Sequence, residues 1–174
     1  MRENRVKEKY LKREDNRSYA PFAEWTWRSF DGKRKVSIDE FIDAHREDFF
    51  MVGTDSQNYC KNRICKFTSV LIAYHMGRGG AVIMSTDKVP FMDKTRLRQR
   101  LLLEAMRSLE VAWHLDSRIN NKSIIQVHLD VNPNLKWRSS QYKEELVGLV
   151  ASQGFMYVIK PDSFAASKVA DKRC

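Results

Sequence analysis

Apolar residues recur along the chain with two different periods. Phe49-Phe50-Met51-Val52 is a short continuous apolar run, the pattern of a strand buried on both faces, and Ile64 to His75 and Ala81 to Lys88 give two further strand patterns. Asn58 and Asn62 mark the first turn between them, Gly77, Gly79 and Gly80 permit the second, and Pro90 ends the third strand, so an antiparallel meander is expected. The period then becomes helical. Leu97, Leu101, Ala105, Leu109 and Ala112 keep one apolar stripe from about Lys94 to Leu115, with Asp93 able to cap its start. Ser123 to Leu129 reads as a fourth strand. A second helix, capped by Ser139 or Ser140 and closed by Gly154, carries Leu146, Val147 and Val150 towards a fifth strand at Phe155 to Ile159, and a last helix follows Ser163. Upstream, Ser37-Ile38-Asp39-Glu40 is a capping box that opens a short helix bearing Ile38, Phe41, Ile42 and His45. Trp25, Trp27 and Phe30 are expected to seal one side of the core.

Strands four and five arrive through helical crossovers, which are right-handed and make parallel neighbours. The expected fold is therefore α/β, a mixed five-stranded sheet of three antiparallel and then two parallel strands, flanked by helices. This is the ribonuclease H-like topology. A length of 174 residues and 43% hydrophobic content fit one domain with a sizeable core, expected over 21–174. Residues 1–20 mix Arg2, Arg5, Lys7, Lys9, Lys12, Arg13 and Arg17 with acids and almost nothing apolar, and read as a solvated basic arm. The net charge of +9 suits a polyanionic partner, most often nucleic acid. No apolar run approaches the roughly 18 residues of a membrane span, which argues against a membrane partner and for a cytoplasmic protein. Cys60, Cys65 and Cys174 lack the spacing of a zinc site or a disulfide framework.

Three acids stand where strands are expected to end: Asp55 in Gly53-Thr54-Asp55-Ser56-Gln57, Asp130 after Leu129, and Asp162 after Ile159. With their strands parallel, all three emerge at the carboxyl edge of the sheet, where α/β proteins place their sites. Adjacent strands lie about 4.8 Å apart, so Asp55 and Asp130 can share a cation, and hard carboxylate oxygens without a Cys or His cluster select Mg²⁺ or Mn²⁺. Glu104 borders the buried stripe of the long helix and can reach the sheet, whereas Glu110 is expected in solvent. His128 shares a strand face with Asp130 and is expected to be packed and hydrogen-bonded rather than catalytic. Thr54, Ser56 and Gln57 suit supporting or phosphate contacts.

Gly53 to Gln57 (GTDSQ), His128 to Asn134 (HLDVNPN) and Lys160 to Lys172 (KPDSFAASKVADK) resemble the signature segments of the YkuK-type family of ribonuclease H-like proteins, from about residue 49 onward. Asn132 departs from that pattern, which has glycine there. The resemblance implies the fold strongly and a reaction weakly. It also bears on the last acid, because many ribonuclease H-like nucleases carry it on the final helix in an Ala-rich stretch such as Ala165 to Asp171. Asp171 would lie about two turns, roughly 11 Å, along a helix that starts at Ser163, while Asp162 lies at the sheet edge. Both remain candidates, the resemblance favouring Asp171 and the geometry Asp162.

The function expected first is a metal-dependent nuclease on RNA, DNA or a hybrid, with two Mg²⁺ or Mn²⁺ ions held by Asp55, Glu104, Asp130 and either Asp171 or Asp162. Lys136, Arg138, Lys160 and Lys168 are then candidates for contacts to the nucleic-acid backbone. The alternatives are a non-catalytic nucleic-acid-binding or scaffold protein with the same fold, and a nucleotide-phosphate-binding unit of the actin type, which normally occurs duplicated.

Overall fold

A computed structural model describes residues 20–59, 64–90 and 96–170. Six strands form one sheet: β1 (Trp27–Ser29), β2 (Phe49–Tyr59), β3 (Ile64–His75), β4 (Gly79–Pro90), β5 (Ile125–His128) and β6 (Met156–Val158), in the order β1-β4-β3-β2-β5-β6. The β2-β3-β4 meander is antiparallel, and β5 and β6 add to β2 in parallel. Helix α1 (Ile38–Ala44) precedes the meander, α2 (Leu97–Ile119) links β4 to β5, α3 (Lys143–Ser152) links β5 to β6, and a short π-helix, Ala165–Ala170, ends the described chain.

The sheet has one strand more than the five expected. Trp27–Ser29 pairs with Ile83–Ser85 of β4 at the edge, and three residues are too few for a legible alternation. The indole of Trp27 enters the core, and Phe22 and Trp25 pack against it. Arg107 of α2 fixes this stretch, its guanidinium lying 3.9 Å from the Trp25 ring centroid and 3.1 Å from Asp87 Oδ2. Asp87 also accepts from the Ala20 N–H, so the described chain begins tied to β4.

Most of the core lies between the sheet and α2 and α3. Phe50 and Val52 of β2, Leu71 and Ala73 of β3, and Ile125 and Val127 of β5 face Leu101, Ala105, Leu109, Ala112 and Leu115 of α2 and Leu146 and Val150 of α3. Each such side chain, fully buried, contributes roughly 1.5–3 kcal/mol, so this layer dominates the fold's stability. The other face carries a smaller cluster, in which Met51, Val70 and Ile72 meet Ala165 and Ala170 of the π-helix.

Several boundaries differ from the sequence reading. The helix α2 continues to Ile119 and closes at Asn120, left-handed at φ 55°; the expected Asp93 cap lies outside the described residues. Strand β2 runs on through Asp55 to Tyr59, with Asn58 paired to Cys65 rather than turning. The long polar half of β2 conceals a strand whose backbone ladder with β3 is unbroken. Neither Ser139 nor Ser140 caps α3. A tight turn over Arg138–Tyr142 leads into it, and Ser139 Oγ instead accepts from the Asn132 N–H. The Ser37 half of the expected capping box forms, Ser37 Oγ accepting from the Glu40 N–H.

Candidate functional site

The two faces of β2 lead to different partners. Even-numbered side chains point towards α2, and along that face the apolar pair Phe50 and Val52 gives way to Thr54 and Ser56. Thr54 Oγ1 lies 2.9 Å from Ser69 Oγ and 3.0 Å from Ser108 Oγ of α2, and Ser108 Oγ is also 2.9 Å from the Glu104 carbonyl. One turn earlier on α2, the carboxylate of Glu104 accepts a 2.5 Å hydrogen bond from Ser56 Oγ. Glu104 thus reaches the sheet, as its place on the stripe border suggests. Glu110 is not solvated as expected but half-buried, and that burial raises its carboxyl.

Asp55 lies on the opposite face of β2, paired with Thr68. It is not at the end of its own strand, a correction to the sequence reading, but it is where the parallel ladder runs out. The last β2-β5 pair is Gly53 with His128, and two further residues on each side bring Asp55 opposite Asp130. Their side chains share a face because the step is even on both. Beyond β5 the chain stays in step with its neighbour, since the Leu129 N–H bonds Val158 O and the Lys160 N–H bonds Val131 O.

Asp55 and Asp130 are both close enough to Glu104 for it to feel their charge. Burial raises the Glu104 carboxyl well above the usual carboxylate range, and the negative charges of Asp55 and Asp130 raise it further, against the lowering effects of Ser56 and Arg100. Arg100 Nε stands 4.0 Å from Glu104 Oε1, so an arginine one turn away borders this buried acid. The buried thiol of Cys65 lies in the same surroundings, its ionisation suppressed chiefly by burial.

Asp130 has a cationic neighbour. Lys160 Nζ is 2.7 Å from Asp130 Oδ1, yet this oxygen is shielded from solvent and accepts no well-directed hydrogen bond. Among the described residues no three His, Cys, Asp or Glu side chains converge on a point where one ion could be held. The donor set still suits a hard divalent cation: carboxylate oxygens, an orphaned shielded oxygen on Asp130, and a concentration of negative charge that Glu104 registers.

Asp162 does not join these acids. Asp171 lies outside the described residues. Asp162 is exposed in the turn before the π-helix, where its backbone carbonyl, not its carboxylate, accepts the Phe164 N–H. At the start of that helix the Ala165 N–H donates to His128 Nδ1 at 3.2 Å. With Nδ1 accepting, His128 carries its proton on Nε2, which faces Gln126 Oε1 at 2.9 Å. Burial lowers the His128 pKa to about 4, so the ring is neutral near pH 7. It is packed and bonded, as expected of it.

Of the basic candidates, Lys136, Arg138 and Lys168 are exposed. The loop bearing the first two is stiffened by successive side-chain turns, Asn132 Oδ1 accepting from the Asn134 N–H and Asn134 Oδ1 from the Lys136 N–H. Leu135 and Trp137 stand exposed beside them. The Lys160 contact to Asp130 escaped the sequence reading, which had Lys160 only as a backbone contact. The adjacency of β5 and β6 was its available signal.

Over residues 35–174 the sequence matches the family described as Ribonuclease H-like, and the chain belongs to that family. It is 28% identical over 137 residues, 70% of its length, to a Bacillus subtilis (strain 168) protein titled "Uncharacterized protein YkuK", of which the match covers 76%. The resemblance to the YkuK-type proteins therefore holds. No solved structure matches. Among the described residues no helix is long and apolar enough to cross a membrane.

Proposed function

We propose that this protein is a divalent-metal-dependent nuclease that hydrolyses phosphodiester bonds of RNA, DNA or a hybrid. The observation that carries the reading is the buried Glu104, its carboxyl raised by burial and by Asp55 and Asp130 at the end of the parallel ladder. Membership of the ribonuclease H-like family supports it. Asp55, Asp130 and Glu104 would hold Mg²⁺ or Mn²⁺, with Asp171 or the exposed Asp162 as the further ligand of a two-ion site. The bound metal supplies Lewis-acid activation of water and stabilises the leaving oxygen. Ser56 orients the Glu104 carboxylate, and Arg100 balances part of its charge. Lys136, Arg138 and Lys168 give the nucleic-acid backbone exposed cations, and the arm at 1–20 adds more. A cytoplasmic setting fits cysteines that lack the spacing of a disulfide framework.

The test is cleavage of labelled RNA, DNA and hybrid by the full chain in Mg²⁺ or Mn²⁺, compared with Asp55→Asn and Asp130→Asn. Wild-type cleavage that vanishes in both folded variants is the expected result; equal cleavage in all three proteins would reject the assignment.

A second reading, a non-catalytic nucleic-acid-binding protein, is favoured by one observation, the ion pair that already neutralises Asp130. Binding to all three nucleic acids without divalent-dependent cleavage would decide for it.

A further inference from the structure

The geometry points to Lys160 as a built-in counter-ion that holds Asp130 until a divalent ion replaces it, and that then turns to a substrate phosphate. This positioning role rests on the metal-site reading above and deepens it.

Three features of the pair fit a replaceable cation better than a structural bridge. The backbone of Lys160 is pinned by its N–H bond to Val131 O, so the ammonium starts from a fixed root and only the side chain has to move. Nζ lies 2.7 Å from Asp130 Oδ1, at ion-pair distance, without the alignment of a directed hydrogen bond. The side chains are 36% and 19% exposed, so water can take up the ammonium when it leaves. Ion pairs this accessible are weak, and a divalent ion carries twice the charge of the one it displaces.

Lysine suits both halves of the exchange. Its ammonium is a compact point charge with three donors on a flexible four-carbon stem, whereas arginine would grip the carboxylate with a planar two-pronged fork. Once displaced, the ammonium stays within one side-chain length of the acids, where the phosphate to be cleaved would lie.

The experiment is calorimetric titration of Mn²⁺ into the full chain without nucleic acid, for wild type, Lys160→Met, Lys160→Arg and Asp130→Asn, each checked for folding by circular dichroism. Lys160→Met should bind Mn²⁺ about fivefold more tightly than wild type, the equilibrium equivalent of losing one exposed ion pair. Lys160→Arg should bind more weakly than wild type, because the fork holds Asp130 better. Inorganic phosphate titrated into the Mn²⁺-loaded proteins should then bind wild type several-fold more tightly than Lys160→Met. Unchanged Mn²⁺ affinity in Lys160→Met, alongside its loss in Asp130→Asn, would overturn the counter-ion role and leave the metal site standing. Absence of Mn²⁺ binding in all four proteins would overturn both.

Discussion

The strand β2 has a buried carboxylate near each end, and the two are treated in opposite ways. Just before its start, Asp48 is 6% exposed, and its two oxygens lie 2.6 Å from His45 Nδ1 and 2.6 Å from His75 Nδ1. Burial alone would raise this carboxyl, but the hydrogen bonds from the two histidines outweigh it, and Asp48 sits below the usual range. Towards the other end Glu104 is 5% exposed and has one hydroxyl donor, a distant arginine and two like charges, and its carboxyl is pushed up. Equal burial with opposite shifts separates a carboxylate that ties structure together from one that we propose as a metal ligand. The first has donors enough to hold it ionised, and the second does not, so its charged form is disfavoured.

The sharpest way to break this contrast is through cleavage. Glu104→Gln should lower divalent-dependent cleavage about 100-fold, the upper range for losing a group that supports a metal site, while Asp48→Asn leaves it unchanged. Equal losses in a metal titration of both variants would erase the distinction.

His128 supplies the next test, because it is a buried titratable group between the two ends, paired with Gly53. Its pKa of about 4 lies below the ordinary value of 6.5, so the unfolded chain takes up a proton before the folded one does. Stability is complete above pH 6.5 and falls as pH drops towards 4, by about 3 kcal/mol from this residue. Thermal melts at pH 7 and pH 4.5 should show a smaller acid loss in His128→Gln than in wild type.

A smaller effect is expected at Asp48. Its lowered carboxyl stabilises the fold above the unfolded carboxylate range and loses that effect as pH falls through the folded value. Asp48→Asn should therefore cost about 1–2 kcal/mol at pH 7, discounted because His75 is half-exposed, and proportionally less in acid. Denaturant unfolding at the two pH values measures it.

Glu104 should show the smallest stability change, with the opposite sign. A carboxyl raised in the folded state penalises folding once ionised, so in EDTA Glu104→Gln should melt about 2–4 °C above wild type at pH 8, the gain vanishing towards pH 4. Mn²⁺ should reverse the order by stabilising wild type more.

Most of the fold was legible because its information is periodic. The stripe from Leu97 to Ala112 and the apolar runs before Asp55 and Asp130 repeat at helix and strand spacing and gave the layers and connections. What escaped had no period to read. Trp27–Ser29 is three residues long, and the second half of β2 is polar on the face that meets α2. At the site, the acids stand out by type, and Glu104 could be told from Glu110 by angle. The Lys160 contact depends on how β6 runs beside the residues after β5, which one-dimensional spacing does not encode. The bond from Ala165 to His128 likewise joins residues 37 positions apart.

The hydroxyls of Thr54, Ser69 and Ser108 act on assembly as a key acts in a keyway. Between apolar faces alone, α2 could slide along the sheet by a turn, about 5.4 Å, and still bury leucines against valines. With three buried hydroxyls meeting at one height, such a slide would break the Ser108–Thr54 bond that ties helix to sheet, at a cost of about 0.5–1.5 kcal/mol, while Thr54 keeps Ser69 and Ser108 keeps the Glu104 carbonyl. The helix is thereby indexed to the sheet, and Glu104, one turn before Ser108, arrives opposite Ser56 each time the chain folds.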